Sequence, residues 1–320
     1  MIVAAFGAWF ALRGMISVGV ISAFIIYSKQ FSRPINELAQ LYGQIETAIA
    51  GAERIFSVLD AESENTSGER NFAVTEGVIE FQHVNFSYVP GKQVIYDFNL
   101  RVEAGKKIAL VGSTGSGKTT VVNLLMRFYD IDSGSITVDG VDIRDISTDV
   151  LRDSVGIVLQ DTVLFTDTVR NNLKYADRSI SDKKMIEAAE SSNCDKVVAA
   201  LPDGYDTVLT AAGANLSQGQ RQLLTIGRAF LSYPKILILD EATSSVDTRT
   251  ELHIQNAMVE LMRNRTSLII AHRLSTIRDA DQIVVMEQGH IIETGTHEEL
   301  LAKGGSYYKL YMTQFAGSAT

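Results

Sequence analysis

The sequence predicts an α/β domain with a mainly parallel sheet covered by helices, with an apolar α-helical segment ahead of it. Three observations carry that expectation. From about residue 76 onward, short apolar runs alternate with helix-compatible stretches, as a parallel sheet with crossover helices should. One such run, Ile108–Val111, leads into a glycine-rich turn and then a helix-compatible stretch. From Met1 to Tyr27 the only formal charge is Arg13, whereas charged residues are frequent beyond Ser28.

Composition sets the outer bounds. A chain of 320 residues has room for one large domain or two ordinary ones. The net charge of −9 counts against a nucleic-acid binder, whose affinity rests on pairing Lys and Arg with phosphates. A single cysteine, Cys194, excludes an internal disulfide.

The first apolar region is longer than most core helices, so membrane insertion is the leading reading and a cleaved signal peptide the competing one. No basic segment precedes it, and it runs on without a clear small-x-small cleavage site. Arg13–Gly14 breaks it. Met1–Leu12 is too short to span a bilayer, whereas a helix starting near Ser17 runs through Tyr27 and beyond. Lys29 and Arg33 then mark the cytoplasmic side. Pro34–Asp60 sets Ile35, Leu38, Leu41, Ile45 and Ile49 at helical spacing, which fits a helix leaving the membrane or one packed on the next domain. This first region covers residues 1–60, and the small, polar stretch 61–75 is a linker. The α/β domain follows over 76–316, with a tail at 317–320. Within it, Val78–Phe81, Lys107–Val111, Val155–Leu159, Ile236–Leu239, Ser267–Ile270 and Ile283–Met286 read as strands. Lys118–Arg127, Gln218–Phe230 and Thr250–Met262 read as helices.

Two motifs carry chemistry. Gly112-Ser113-Thr114-Gly115-Ser116-Gly117-Lys118-Thr119, followed by Thr120, matches G-x-x-x-x-G-K-[ST] in the strand–loop–helix context that the motif requires. Glycines let successive backbone N–H groups point into one concavity, and the helix N-terminus favours an anion there. Lys118 would reach the β- and γ-phosphates of ATP, and the Thr119 hydroxyl would ligate Mg²⁺. The second motif, Ile236–Leu239 followed by Asp240 and Glu241, ends a buried strand in paired acids. Asp240 would hold Mg²⁺ and Glu241 would orient and deprotonate the attacking water. A helix N-cap is the ordinary alternative for such a pair.

Leu216-Ser217-Gln218-Gly219-Gln220-Arg221-Gln222, taken with those motifs, resembles the signature of the ABC ATPases. The order of phosphate loop, Gln160, signature, acidic strand, Ser244–Asp247 and His272 is similar to the full set of that family. Within it the chain resembles exporters that fuse a membrane domain to the ATPase, as in multidrug or lipid half-transporters. The stretch from Trp9 to Asp60 is similar to the end of their fifth membrane helix, an outer loop and the sixth helix, so the chain resembles the C-terminal part of a longer protein. The resemblance implies a parallel core with an antiparallel β subdomain and a helical subdomain. It implies that Tyr88 stacks on adenine. Gln160 touches Mg²⁺ and the attacking water, His272 contacts the γ-phosphate and braces Glu241, and Asp247 lies between two domains. Ser217, Gln218, Gly219 and Gln220 would meet the γ-phosphate held by another subunit's loop, so a dimer with a second half-transporter is implied. The cargo would be a hydrophobic compound or lipid, with the ATPase on the cytoplasmic side of a bacterial inner or plasma membrane.

The sequence departs from that family at two places. Position 218 is Gln where Gly is usual, and Thr210–Gly213 lacks the acidic residue that exporters carry before the signature. A soluble ABC ATPase acting on nucleic acid or ribosomes is the alternative from another class. The interval Thr120–Leu216 leaves no room for the coiled coil of the DNA-repair members.

Overall fold

The computed structural model describes residues 2–61, 68–159, 163–210, 213–240, 247–271 and 274–314. They belong to two compact units, divided between Glu64 and Asn65.

The first unit is a helical pair, α1 (Ile2–Leu12) and α2 (Val18–Leu59). The turn between them is built on Gly14, whose φ of 76° suits a residue without Cβ. The Gly14 and Met15 amides donate to the Ala11 and Phe10 carbonyls at 2.9 and 3.0 Å. Gly7 lets the helices approach, since a Cβ there would sit 3.0 Å from the Ile21 side chain. Neither helix contains a buried residue.

The expectation of a transmembrane segment is not met among the described residues: no helix is long and apolar enough to cross a membrane. With 11 residues, α1 rises only about 16 Å against a hydrocarbon core of about 30 Å. With 42 residues α2 is long enough, but its apolar run gives way to Lys29, Arg33 and Glu37.

The second unit begins with β1 (Ile79–Val89), β2 (Lys92–Val102) and β3 (Lys107–Val111), followed by α3 (Lys118–Leu125). Strands β4 (Ser133–Val138) and β5 (Val141–Asp142), α4 (Thr148–Asp153) and β6 (Val155–Val158) come next. A helical stretch holds α5 (Val169–Leu173), α6 (Asp182–Ser191), α7 (Asp195–Ala199) and α8 (Gln218–Ser232). The chain continues through β7 (Ile236–Asp240), α9 (Thr248–Met262), β8 (Thr266–Ile270) and α10 (Leu274–Arg278). Strands β9 (Gln282–Glu287) and β10 (His290–Gly295) and helices α11 (His297–Lys303) and α12 (Ser306–Gln314) follow.

Two sheets result. One is antiparallel in the order β2-β1-β4-β5; the other runs β10-β9-β3-β8-β7-β6, parallel except for β10. The parallel strands are apolar on both faces because both are covered. In β7, Ile236 and Ile238 join the core shared with the antiparallel sheet and α3. Leu237 and Leu239 join the core on the opposite face, with α8 and α9. Cys194 lies in that second core against Gly227, and burial pushes its thiol up to about 12.

Two predicted boundaries shift for local reasons. β1 continues past Phe81 to Val89 because His83, with φ of 49°, forms a bulge that breaks the two-residue period without ending the strand. α3 stops at Leu125 rather than Arg127, which adopts φ of 51° and directs its guanidinium to the Ile143 and Ile146 carbonyls.

Candidate nucleotide site

The phosphate loop joins β3 to α3 and is clamped by the turn between β9 and β10. The Ser116 amide donates to the Ser113 carbonyl at 3.1 Å, and the Gly289 amide donates to the Ser116 carbonyl at 3.0 Å. A Cβ on Gly112 would lie 2.2 Å from the Met286 carbonyl oxygen, so only glycine fits there. Gly117, with φ of 105°, opens α3. Ser113, Thr114, Gly115 and Thr119 are exposed, whereas Ser116 and Thr120 are buried.

Lys118 is 7% exposed. Its Nζ donates to the Gly112 carbonyl (2.8 Å), the Ser113 carbonyl (3.0 Å) and Ser116 Oγ (3.3 Å). Burial drives its pKa down, and the Asp240 carboxylate opposes that shift. Asp240, the last residue of β7, is therefore near enough for its charge to act on Lys118. Strand order explains why: β3, β8 and β7 are parallel neighbours, so the loop and Asp240 leave the sheet at its C-terminal edge, where open α/β sheets bind ligands.

Tyr88 comes to the same place from β1. Its hydroxyl donates to Thr120 Oγ1 at 3.2 Å, and its half-exposed ring meets Tyr129 edge-on with centroids 4.9 Å apart. Tyr129 escaped sequence reasoning because its contact with Tyr88 depends on β1 folding back beside α3. Met286 and Gly289 escaped it for the same reason, being more than 160 residues from the loop they clamp.

The signature residues lie elsewhere, at the start of α8. Ser217 Oγ accepts the Gln220 amide at 3.3 Å and Gln220 Oε1 accepts the Ser217 amide at 2.9 Å, a capping box. Gln218 is the first helical residue, and Gly219 is buried. Asp247 caps α9 by accepting the Thr250 amide at 3.0 Å, and that bond holds its carboxyl below the usual range. Gln160, Glu241 and His272 lie outside the described residues.

The residues fit a magnesium nucleotide. Among the described residues the Lys118 ammonium donates to two carbonyls and a hydroxyl, uncharged acceptors that the phosphate oxygens of a triphosphate would outcompete. Among the described residues no cluster of three or more His, Cys, Asp or Glu could hold a metal. Thr119 and Asp240 instead offer the few hard oxygen donors that Mg²⁺ takes alongside phosphate.

Comparison with known proteins decides the family. Residues 95–244, which run from β2 through the acidic strand, match the family described as ABC transporter. This chain carries an ABC transporter domain. The match contains the phosphate loop, the signature and Asp240, and ABC domains bind ATP. A fatty acid ABC transporter ATP-binding/permease protein of Mycobacterium bovis is 51% identical over 308 residues, which are 96% of this chain and 49% of that protein. An ATP-dependent lipid A-core flippase of Syntrophus aciditrophicus is 45% identical over 97% of this chain and 52% of its own length. A solved bacterial Atm1-family ABC exporter with ATP bound is 36% identical, with a TM-score of 0.77 over 99% of this chain and 56% of that one. The chain thus spans about half the length of the relatives it matches.

Proposed function

We propose that this chain is the ATP-hydrolysing part of an ABC exporter that moves a hydrophobic compound or lipid outward across a membrane. The observation that carries the proposal is the convergence of Lys118, Asp240 and the Tyr88 cluster on one sheet edge. The names of the relatives, a fatty acid transporter and a lipid flippase, support the cargo class. The large apolar side chains that α1 and α2 expose support a membrane setting, since Phe6, Trp9, Phe24 and Phe31 are costly to leave in water.

In this reading the loop amides and Lys118 hold the phosphates, and Tyr88 stacks on the base. Thr119, Gln160 and Asp240 would hold Mg²⁺, which when bound would supply positive charge against the phosphates. Glu241 takes the proton of the attacking water and His272 braces Glu241. Ser217, Gln218, Gly219 and Gln220 at the start of α8 complete a second subunit's site, with Asp247 at the junction, so the working form is a homodimer or heterodimer. The helix N-terminus favours the phosphate it meets. The test is Glu241→Gln in the full-length protein: ATP binding persists and turnover is lost. Hydrolysis at the wild-type rate in that variant overturns the assignment.

A further inference from the structure

Arg228, on a partly buried flank of α8, takes part in none of the steps above, yet its guanidinium bonds at three atoms to a stretch more than fifty residues upstream. Its Nη1 donates to the Val163 carbonyl at 2.6 Å, Nε to the Asn172 carbonyl at 2.6 Å, and Nη2 to Asn172 Oδ1 at 2.5 Å. The guanidinium also lies against the stacked rings of Phe165 and Tyr175, 5.6 and 5.5 Å from their centroids. Burial pulls its pKa down to about 10, so the cation is kept in a poorly hydrated place by these partners.

Asn172, 1% exposed, extends the same node. Its Oδ1 accepts the Phe165 amide at 2.9 Å, and its Nδ2 donates to the carbonyls of Phe165, Asp167 and Thr168. A planar fork reaches two carbonyls and a side-chain amide oxygen from three separate nitrogens, whereas the three donors of lysine all radiate from one atom. One cation therefore ties both ends of the stretch 163–172 to a single helix.

We propose that Arg228 is a positioning residue that makes the segment Val163–Leu173 and helix α8 move as one body, so the signature turn at Ser217–Gln220 keeps its aim only while that tie holds. The inference rests on the ATPase reading, in which that turn serves a partner's nucleotide. It assigns the alignment of the turn to a contact about two to three helical turns further along α8.

The test uses the full-length protein carrying Arg228→Gln, with Arg228→Lys beside it because Lys keeps the charge and loses the fork. Three quantities are measured: affinity for a fluorescent ATP analogue, kcat for ATP, and amide hydrogen exchange. Affinity, set by the phosphate loop, stays within about twofold, while kcat falls about a hundredfold, the effect of a catalytic group displaced by about 1 Å. Exchange quickens together in residues 163–173 and 217–224. If Arg228→Gln does not fold, Arg228→Lys carries the same expectation. A kcat within about threefold of wild type, or faster exchange in only one segment, overturns the proposal. Ser217→Ala serves as the control. Unchanged turnover there refutes the role of the signature turn, while linked exchange still decides whether Arg228 joins the two segments.

Discussion

Replacing Lys118 with methionine should separate nucleotide binding from stability. Within the loop the ammonium donates to two backbone carbonyls and one hydroxyl. Binding a triphosphate exchanges uncharged acceptors for anionic ones. The ammonium is charged in both sets of bonds, and an anionic acceptor strengthens each one by about 1–1.5 kcal/mol over a neutral acceptor, so exchanging two of them gains roughly 2–3 kcal/mol. Lys118→Met should then weaken ATP binding about 30- to 150-fold.

Stability should move the other way or hardly at all. Lys118 is buried and its pKa is lowered, so the folded state binds its proton less well than the unfolded chain does. The resulting penalty is fully present below the folded pKa and is relieved as pH rises toward the unfolded value of about 10.4. The wild-type protein therefore gains stability along the alkaline limb, and the methionine variant lacks that gain. At neutral pH, exchanging a poorly solvated charge for an apolar chain of similar length is neutral or stabilising. Calorimetric titration with ATP and urea unfolding between pH 7 and 10 read the two effects. Affinity within about threefold of wild type refutes the binding argument. A loss above about 2 kcal/mol at pH 7 refutes the stability argument, because the loop carbonyls then depend on the ammonium.

Other expectations follow from single contacts. Gly112→Ala forces a Cβ to 2.2 Å from the Met286 carbonyl oxygen, so unfolding free energy should drop by about 2–5 kcal/mol and ATP binding should disappear in a nucleotide titration. Asp139 is partly buried, which alone would push its carboxyl up, but the amides of Thr75, Val78, Glu76 and Gly77 hold it below its ordinary value. The stability it contributes is present above the unfolded pKa and lost as pH falls through the folded one. Asp139→Asn should cost about 1–3 kcal/mol at pH 7 and flatten that acid limb in urea titrations. Ser217→Ala removes one half of the capping box on α8 and should lower stability by about 1 kcal/mol, read by thermal unfolding.

What the sequence made legible was local. Gly112–Thr119 and Ile236–Asp240 could be read because each is a continuous run whose residue types are set by its own backbone. The hairpin of β1 and β2 was harder, since His83 and Asp97 both take positive φ and interrupt the alternation that marks a strand. Helices α5 and α7, five residues each, are too short to show a period and are held by packing and by contacts such as those of Asn172. The clamp on the loop from Met286 and Gly289 needs the sheet to be assembled before it exists. The apolar start was overread: the helix expected from Ser17 through Tyr27 forms as part of α2, but its charge-free run gives way to Lys29, Arg33 and Glu37, so no described helix is both long and apolar enough to cross a membrane.

Cys194 has a practical consequence. It is sealed in the core against Gly227 with its thiol pushed up to about 12, so at neutral pH it presents almost no thiolate to an alkylating reagent. Because it is the chain's single cysteine, a second one placed at an exposed position such as Leu252 becomes the sole addressable handle in this stretch. Spin labels or fluorophores can then follow the domain as ATP is added without first stripping native thiols from it.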